Sequence, residues 1–417
     1  MKENKSYLYQ LFRDTLYYSI SKIIPGLAGL ISVVLFFRLI GPEEYGKYSI
    51  IFSFTNLIAA FSFSWLNQSM LRYRSIYSSS MTILNPISLG FIIGTIPVIL
   101  FVTITSAFGF PAIFSNKHII FLALSIGLFN IIKSIFQSDE LPNKVILITS
   151  YQSILMIICS IIIIKLFDKS AESLILGISF GYLIPILPYS NFFSINVFTK
   201  KNIEKIKPFF NYGVPLSIWL GVSLSLNLLD RYFIEYYYGS SLMGSYAGFS
   251  EFIIRIFSIF VFPITLAVHP ILMNNWNMNK NINEFFIKLF KASIFQIIIF
   301  LVMLGLLFLF KNDFFYLIQI MIPEVDISMK KIMIPVFIGG FLWQLALIIH
   351  KPLEIEERTL IMVICIIFSL VTNLIGNIFF LPKFGVSATA YTMIFSASIY
   401  ILLSILFSNS FRNFLRR

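Results

Sequence analysis

Apolar runs of about 20 residues recur along the whole chain, and short polar or glycine-containing breaks separate them. A run of that length crosses about 30 Å of hydrocarbon as an α-helix. The stretch 311–331 mixes charged and apolar residues, and we interpret it as an outer loop with an amphipathic interfacial piece rather than a thirteenth span. The breaks predict twelve spans, at approximately 15–40, 45–70, 83–108, 117–138, 143–167, 171–196, 209–237, 242–273, 284–310, 329–351, 358–380 and 385–408.

The composition supports a membrane protein. Of the 417 residues, 58% are hydrophobic and 12% are charged, whereas soluble domains carry about 25% charged residues. The chain therefore has too few polar side chains to cover a surface in water. We predict an all-α integral membrane protein in which every connection is short. No loop can fold as a separate catalytic domain, so any function must lie between the helices.

Lys and Arg residues divide unevenly between the two sides of this scheme. The side that holds both termini carries about twice as many of them as the other side, and cytoplasmic loops are the ones enriched in Lys and Arg. We therefore predict that both termini are cytoplasmic. Anionic lipid headgroups explain the formal net charge of +12, so membrane lipids are predicted partners and nucleic acid is not.

An internal repeat divides the chain into two halves of six spans. Gly41-x4-Gly46-x-Tyr48 matches Gly239-x4-Gly244-x-Tyr246 at an offset of 198 residues. Each motif follows the first span of its half, where it predicts a tight outer turn. The basic linker "TKKNIEKIKPFFNYGVP" lies between the halves, and we place the N-terminal six-helix bundle at 1–200 and the C-terminal one at 201–417. An even number of spans makes the halves parallel in topology.

Two stretches carry a family resemblance. "FFRLIGPEEYGKYSIIFSFTNLI" resembles the first hairpin of bacterial polysaccharide flippases, and "NYGVPLSIWLGVSLSLNLLDRYFIEYYYGSSLMGSYA" is similar to their seventh-span hairpin. The family is the polysaccharide transporter branch, which includes the O-antigen flippases, of the multidrug/oligosaccharidyl-lipid/polysaccharide (MOP) flippase superfamily. The resemblance implies a V-shaped pair of six-helix bundles, like that of the multidrug exporters, around a central cavity that opens by alternating access.

The resemblance also implies a substrate and a location. Members move an oligosaccharide linked to undecaprenyl pyrophosphate, such as an O-antigen or capsule repeat unit, from the inner to the outer leaflet of the bacterial cytoplasmic (inner) membrane. No cofactor or metal is implied. Coupling to a proton or sodium gradient stays open, and so does contact with the polysaccharide polymerase machinery.

Glu251 and Arg255 in the eighth span are the clearest candidates for a substrate site. A charge near the bilayer centre costs about 2.5–3.5 kcal/mol on insertion scales, so its presence needs a reason. The two residues are four apart with Glu first, which favours a helical ion pair. Arg255 would bind the diphosphate or acidic sugars, and Glu251 would balance its charge when the site is empty. The alternative is a structural ion pair that fixes helix register.

Other polar residues within the spans are weaker candidates for the cavity: Lys22, Asp230, Arg231, Asn56 and Asn373. Lys22 could instead extend to the cytoplasmic interface. Asp230 and Arg231 are adjacent, so they point in different directions from their helix, and interfacial solvation explains them equally well. Membrane asparagines more often bind other helices than ligands. His269 and His350 fall near cytoplasmic span ends, where an interfacial role is favoured over a proton relay.

Two rival functions are weighed against a flippase. A polytopic glycan polymerase or transferase would need paired acids or a nucleophile with its base, usually on a sizeable loop. The sequence has no such loop and no phosphate-binding, metal-binding or nucleophile motif, so no enzyme is predicted. A small-molecule (drug) exporter of the same superfamily is the second rival, but the acidic pattern typical of its first span is missing.

Overall fold

The computed structural model describes residues 2–73, 80–108, 117–139, 141–192 and 198–415. Across these ranges the secondary structure is helical, with no strand. A short 3-10 helix, Ile184–Phe192, extends α5. The helices are α1 Lys2–Tyr73, α2 Ser80–Ala107, α3 Lys117–Ser138, α4 Pro142–Leu166, α5 Ala171–Leu183, α6 Lys200–Asn279, α7 Ile282–Leu309, α8 Lys311–Met321, α9 Met329–Ile349, α10 Lys351–Ile355, α11 Thr359–Phe384, α12 Val386–Phe407 and α13 Asn409–Leu415.

Two of these helices each contain two membrane spans. α1 is kinked at Gly41 (φ 78°, ψ 171°) and α6 at Gly239 (φ 83°, ψ 168°). This backbone region is accessible almost only to glycine. Within the described residues, ten helices are long and apolar enough to cross a membrane, and α1 and α6 are two of them. Dividing both at their kinks gives the predicted twelve spans, so the all-helical membrane fold is confirmed.

The two kinks also support the predicted repeat. Gly41 and Gly239 lie 198 residues apart and share one unusual conformation. Tyr48 and Tyr246, the matched tyrosines of the two motifs, are both buried. The offset read from the sequence thus aligns two turns that have the same backbone geometry and the same buried anchor.

One of two compact units comprises Leu39–Tyr232. Its core includes Trp65, Leu66, Ile132, Phe136 and Phe209. The first part of α6 packs closely on the second part of α1 in this unit, because a Cβ at Gly213 would collide with the Trp65 carbonyl. Ser69 reinforces the contact by donating a hydrogen bond to the Phe209 carbonyl at 2.6 Å.

The other compact unit comprises Met1–Arg38 together with Phe233–Arg417. Gly26 packs beside Ile259 here, and a Cβ at position 26 would be in ordinary van der Waals contact with that side chain at 3.4 Å. The first span of the chain therefore lies in the same unit as spans eight to twelve, and most of the seventh span lies in the unit of spans two to six. The predicted boundary between the two bundles, at residues 200 and 201, comes from the sequence repeat and stays a prediction. The compact units divide the chain at other positions.

α8 is a short helix that does not span the membrane. Its 11 residues extend about 16 Å, roughly half of the hydrocarbon thickness. Arg38 holds the end of α8 by donating to the carbonyls of Met321, at 2.8 Å, and Ile320. With 11 residues, α8 is too short to be a thirteenth span, while the outer, interfacial location of 311–331 stays a prediction.

A carboxylate outside the spans anchors the C-terminal helix α13. Glu356 accepts hydrogen bonds from the Ser408 hydroxyl at 2.6 Å and from the backbone N–H groups of Asn409 and Ser410 at 3.2 and 2.7 Å. Phe411 on α13 is buried against Phe286, with ring centroids 4.7 Å apart. The short helix is thus fixed by polar contacts at its start and by aromatic packing along its length.

We expect Glu356→Gln to loosen α13. Burial raises the pKa of Glu356, but hydrogen bonds from Ser408, Ser410 and Asn409 outweigh burial and leave the pKa below its ordinary value. An acid with a lowered pKa stabilises the fold above its unfolded pKa, and this stability is lost as the pH falls through the folded value. The protection factors of the amides of 409–415 in hydrogen exchange should therefore fall in the variant, and in the wild type at acidic pH.

The adjacent Glu357 provides a matched control, because its side chain is exposed. Glu357→Gln should leave exchange in α13 unchanged. Equal acceleration in both variants would show that Glu356 has no special role in docking the helix.

Candidate substrate-binding site

The predicted ion pair in the eighth span forms on α6. Arg255 Nη2 lies 3.4 Å from Glu251 Oε2, one helical turn away. This is longer than the 2.7–2.9 Å of a close charge-assisted hydrogen bond, so the pair is loose. The Arg255 side chain is 37% exposed and that of Glu251 17%. A cation is therefore held within a membrane-spanning segment and remains accessible.

The first span contributes its backbone to this site. Gly29 is buried, and a Cβ there would collide with Nη1 of Arg255. The guanidinium therefore occupies space that only a glycine leaves open. The sequence contains no signal that the neighbour of Gly29 would be Arg255.

Asp230 and Arg231 belong to the other compact unit. Arg231 Nη1 donates to the Ser49 carbonyl at 2.9 Å and to the Ser53 hydroxyl at 2.6 Å. Asp230 is buried. These contacts join the first part of α6 to the second part of α1, and they give Arg231 a role in packing.

The two asparagines are bonded to protein groups. Asn56 donates to the Phe52 carbonyl of its own helix at 2.8 Å. Asn373 is buried and accepts from the Asn377 amide at 3.1 Å, and Asn377 in turn accepts from Thr389 at 3.0 Å. This chain links α11 to α12.

Among the predicted site residues whose side chains the structure describes, Glu251 and Arg255 form an ion pair. Lys22 lies outside the residues whose side chains are described, and so does His269.

His350 is more buried than an interfacial role implies. It is 2% exposed at the end of α9, with Nδ1 3.0 Å from the Tyr400 hydroxyl and Nε2 3.0 Å from Glu354. Lys351 lies 2.6 Å from the same Glu354 oxygen. The histidine thus joins three helices, α9, α10 and α12. A single histidine near a span end gave no signal of this burial.

A groove between α11 and α12 was missed by sequence reasoning. Its volume is about 580 Å³, and aromatic side chains such as Phe380 and Phe395 line it. Exposed aromatic residues are expected on any lipid-facing helix, so the pattern alone does not reveal a groove.

Residues 11–276 match the family model described as polysaccharide biosynthesis protein. The chain belongs to this family. The match covers well over half of the sequence, including both kinked hairpins and the Glu251–Arg255 pair. It confirms the family that the two hairpin stretches resemble.

Solved structures show that this polysaccharide biosynthesis protein has the fold of MOP-superfamily transporters. The lipid II flippase MurJ in an inward closed conformation is 18% identical, with a TM-score of 0.71 over 94% of this chain and 87% of that one. An inward-facing multidrug resistance MATE transporter is 12% identical, with a TM-score of 0.68 over 97% and 98% of the two chains. A MOP-superfamily transporter from Pyrococcus furiosus is 13% identical, with a TM-score of 0.64 over 98% and 96%. A search of curated proteins found no match.

Proposed function

We propose that this protein is a flippase for an oligosaccharide linked to undecaprenyl pyrophosphate, such as an O-antigen or capsule repeat unit. It moves the glycan from the inner to the outer leaflet of the bacterial cytoplasmic membrane, and both termini are cytoplasmic. The family assignment supports a role in polysaccharide biosynthesis. The likeness to MurJ supports a fold suited to transport. No catalytic step is proposed.

The observation that carries this proposal is the accessible Arg255 within a membrane span. Placing this charge there costs about 2.5–3.5 kcal/mol, which a phosphate ligand would offset. A guanidinium presents donors in a planar fork that matches two phosphate oxygens. In the empty site Glu251, 3.4 Å away, balances the charge. The diphosphate then displaces this loose partner.

In this mechanism the lipid tail remains in the bilayer while the glycan crosses through water. Arg255 binds the diphosphate in the inward-open state, and alternating access exposes the glycan to the other side. Return of Glu251 to Arg255 aids release of the diphosphate. A proton or sodium gradient is the proposed source of energy, and the polysaccharide polymerase machinery would use the product.

A leaflet-resolved assay tests the function. Purified protein in vesicles that carry a defined diphosphate-linked oligosaccharide should accelerate the appearance of the glycan in the opposite leaflet, where an impermeant lectin detects it. A dolichol-like lipid that lacks the diphosphate-linked glycan is the control cargo and should give no lectin signal. Uptake of a cationic drug without any movement of the glycan would contradict the proposal and indicate a drug exporter.

A further inference from the structure

The groove between α11 and α12 has aromatic walls and a floor of small residues. Phe380 and Phe384 lie on one wall and Tyr391 and Phe395 on the other, and each is more than half exposed. At the floor the helices touch, because a Cβ on Gly376 would overlap the side chain of Thr392. Both helices are apolar enough to span the membrane, so the groove opens into hydrocarbon.

The two threonine hydroxyls in the groove are hydrogen-bonded to the helices themselves. Thr372 Oγ1 donates to the Phe368 carbonyl at 2.9 Å, and Thr392 Oγ1 donates to the Ala388 carbonyl at 2.8 Å. With these hydroxyls directed at the backbone, the threonines add methyl groups to a surface of aromatic rings. A surface of this kind favours a hydrocarbon chain as its occupant.

A lysine stands at one end of the groove. Lys383 is exposed and directly precedes Phe384, the last residue of α11 that lines the groove. The helix ends one residue later at Phe384, and the following Gly385 has a φ of 67°. On the predicted topology this end is at the outer membrane surface, where the ammonium group meets phosphates.

We propose that this groove binds the isoprenoid chain of a polyprenyl phosphate or diphosphate, with Lys383 at the phosphate. The inference rests on the proposed function, because it assigns the lipid part of the same substrate to a place on the protein. The charge at the groove's end matches the carrier's anionic head, and the apolar lining matches its chain. The groove receives the carrier in the outer leaflet after the glycan has crossed.

Photo-crosslinking tests this site. Full-length protein in nanodiscs is exposed to a polyprenyl phosphate that carries a photoreactive group in its chain, and labelled peptides are mapped by mass spectrometry. We expect labels on α11 and α12, and competition by unlabelled polyprenyl phosphate but not by equimolar phosphatidylglycerol. Equal competition by phosphatidylglycerol would overturn the proposal and indicate a groove for ordinary lipid.

Two neighbouring phenylalanines on α11 make a matched pair of variants. Phe380 lines the groove and is 52% exposed, whereas Phe379 is 60% exposed and does not line it. Phe380→Ala should weaken probe binding about tenfold, or ~1.4 kcal/mol, and Phe379→Ala should leave it unchanged. Equal effects of the two substitutions would overturn the assignment of the groove.

Lys383→Gln tests the binding of the phosphate group separately from the binding of the isoprenoid chain. This variant should weaken binding of the polyprenyl phosphate probe but not of the matching polyprenol, which has no phosphate. Equal affinities of wild type and variant for the phosphate probe would overturn the role of Lys383.

The groove and the proposed function can fail separately. Glycan movement by wild-type protein without labelling of α11 or α12 would overturn the groove alone. Specific labelling without glycan movement would overturn the flippase function while leaving a polyprenyl phosphate site.

Discussion

Arg255→Ala is expected to abolish transport of the lipid-linked oligosaccharide while leaving the protein inserted in the membrane. Hydrogen bonds to charged groups contribute about 1.5–3 kcal/mol each, so losing a two-pronged contact with the diphosphate should weaken binding at least a hundredfold, by ~3 kcal/mol. Insertion should not suffer, because removing a charge from a span lowers its insertion cost. The leaflet-resolved assay measures transport, and the amount of protein in membranes measures insertion.

Another ion pair in the same compact unit provides the control. Glu284 and Lys288 on α7 have the same i, i+4 spacing, with Lys288 Nζ 2.5 Å from Glu284 Oε1. Lys288→Ala should keep transport. Arg255→Lys should retain only part of the activity, because an ammonium has the charge without the planar fork. Wild-type transport by Arg255→Ala, or equal loss in Lys288→Ala, would show that Arg255 does not bind the substrate.

Alanine at Gly41 or at Gly239 is expected to destabilise the fold by about 1–3 kcal/mol at each position. The reason is the backbone alone. Both residues have φ near +80°, and a Cβ at either position would meet no heavy atom within 4 Å. A side chain therefore has enough space, but its own backbone conformation becomes strained.

Gly305 in α7 is the matched control for these two variants. A Cβ there also meets no heavy atom within 4 Å, and Gly305 is not among the glycines with positive φ. Gly305→Ala should be neutral or stabilising by up to about 1 kcal/mol. The midpoint of thermal unfolding in detergent provides the comparison. If all three variants unfold at the same temperature, alanine at position 41 or 239 does not strain the backbone at the kinks.

The sequence was sufficient to predict the spans and the turns that join them. The length of an apolar run determines whether a helix can cross a bilayer, and such runs can be found in the sequence. The predicted span 358–380 thus corresponds to the helix Thr359–Phe384, and the span 385–408 to Val386–Phe407. The repeated glycines at positions 41 and 239 marked the kinks, because a tight turn between two helices needs a residue without a side chain. These signals are local and can be read from one chain.

Contacts distant in the sequence could not be predicted in this way. Glu44 lies shortly after the kink at Gly41, and its carboxylate accepts the Ala171 N–H of α5 at 2.8 Å. Gly29 and Arg255 meet across more than 200 residues. Periodicity shows that a helix has a polar or small face, but it does not show which other helix covers that face. Glu251 and Arg255 were found because they are one turn apart on one helix.

The two glycine kinks also bear on how the chain passes between its two compact units. The backbone passes from one compact unit to the other between Arg38 and Leu39 and again between Tyr232 and Phe233. Each passage lies inside a continuous helix, a few residues before Gly41 or Gly239. The chain thus crosses between the two units twice, each time within a helix that has a glycine kink nearby. A residue other than glycine at position 41 or 239 would therefore place backbone strain within a few residues of each passage between the two units.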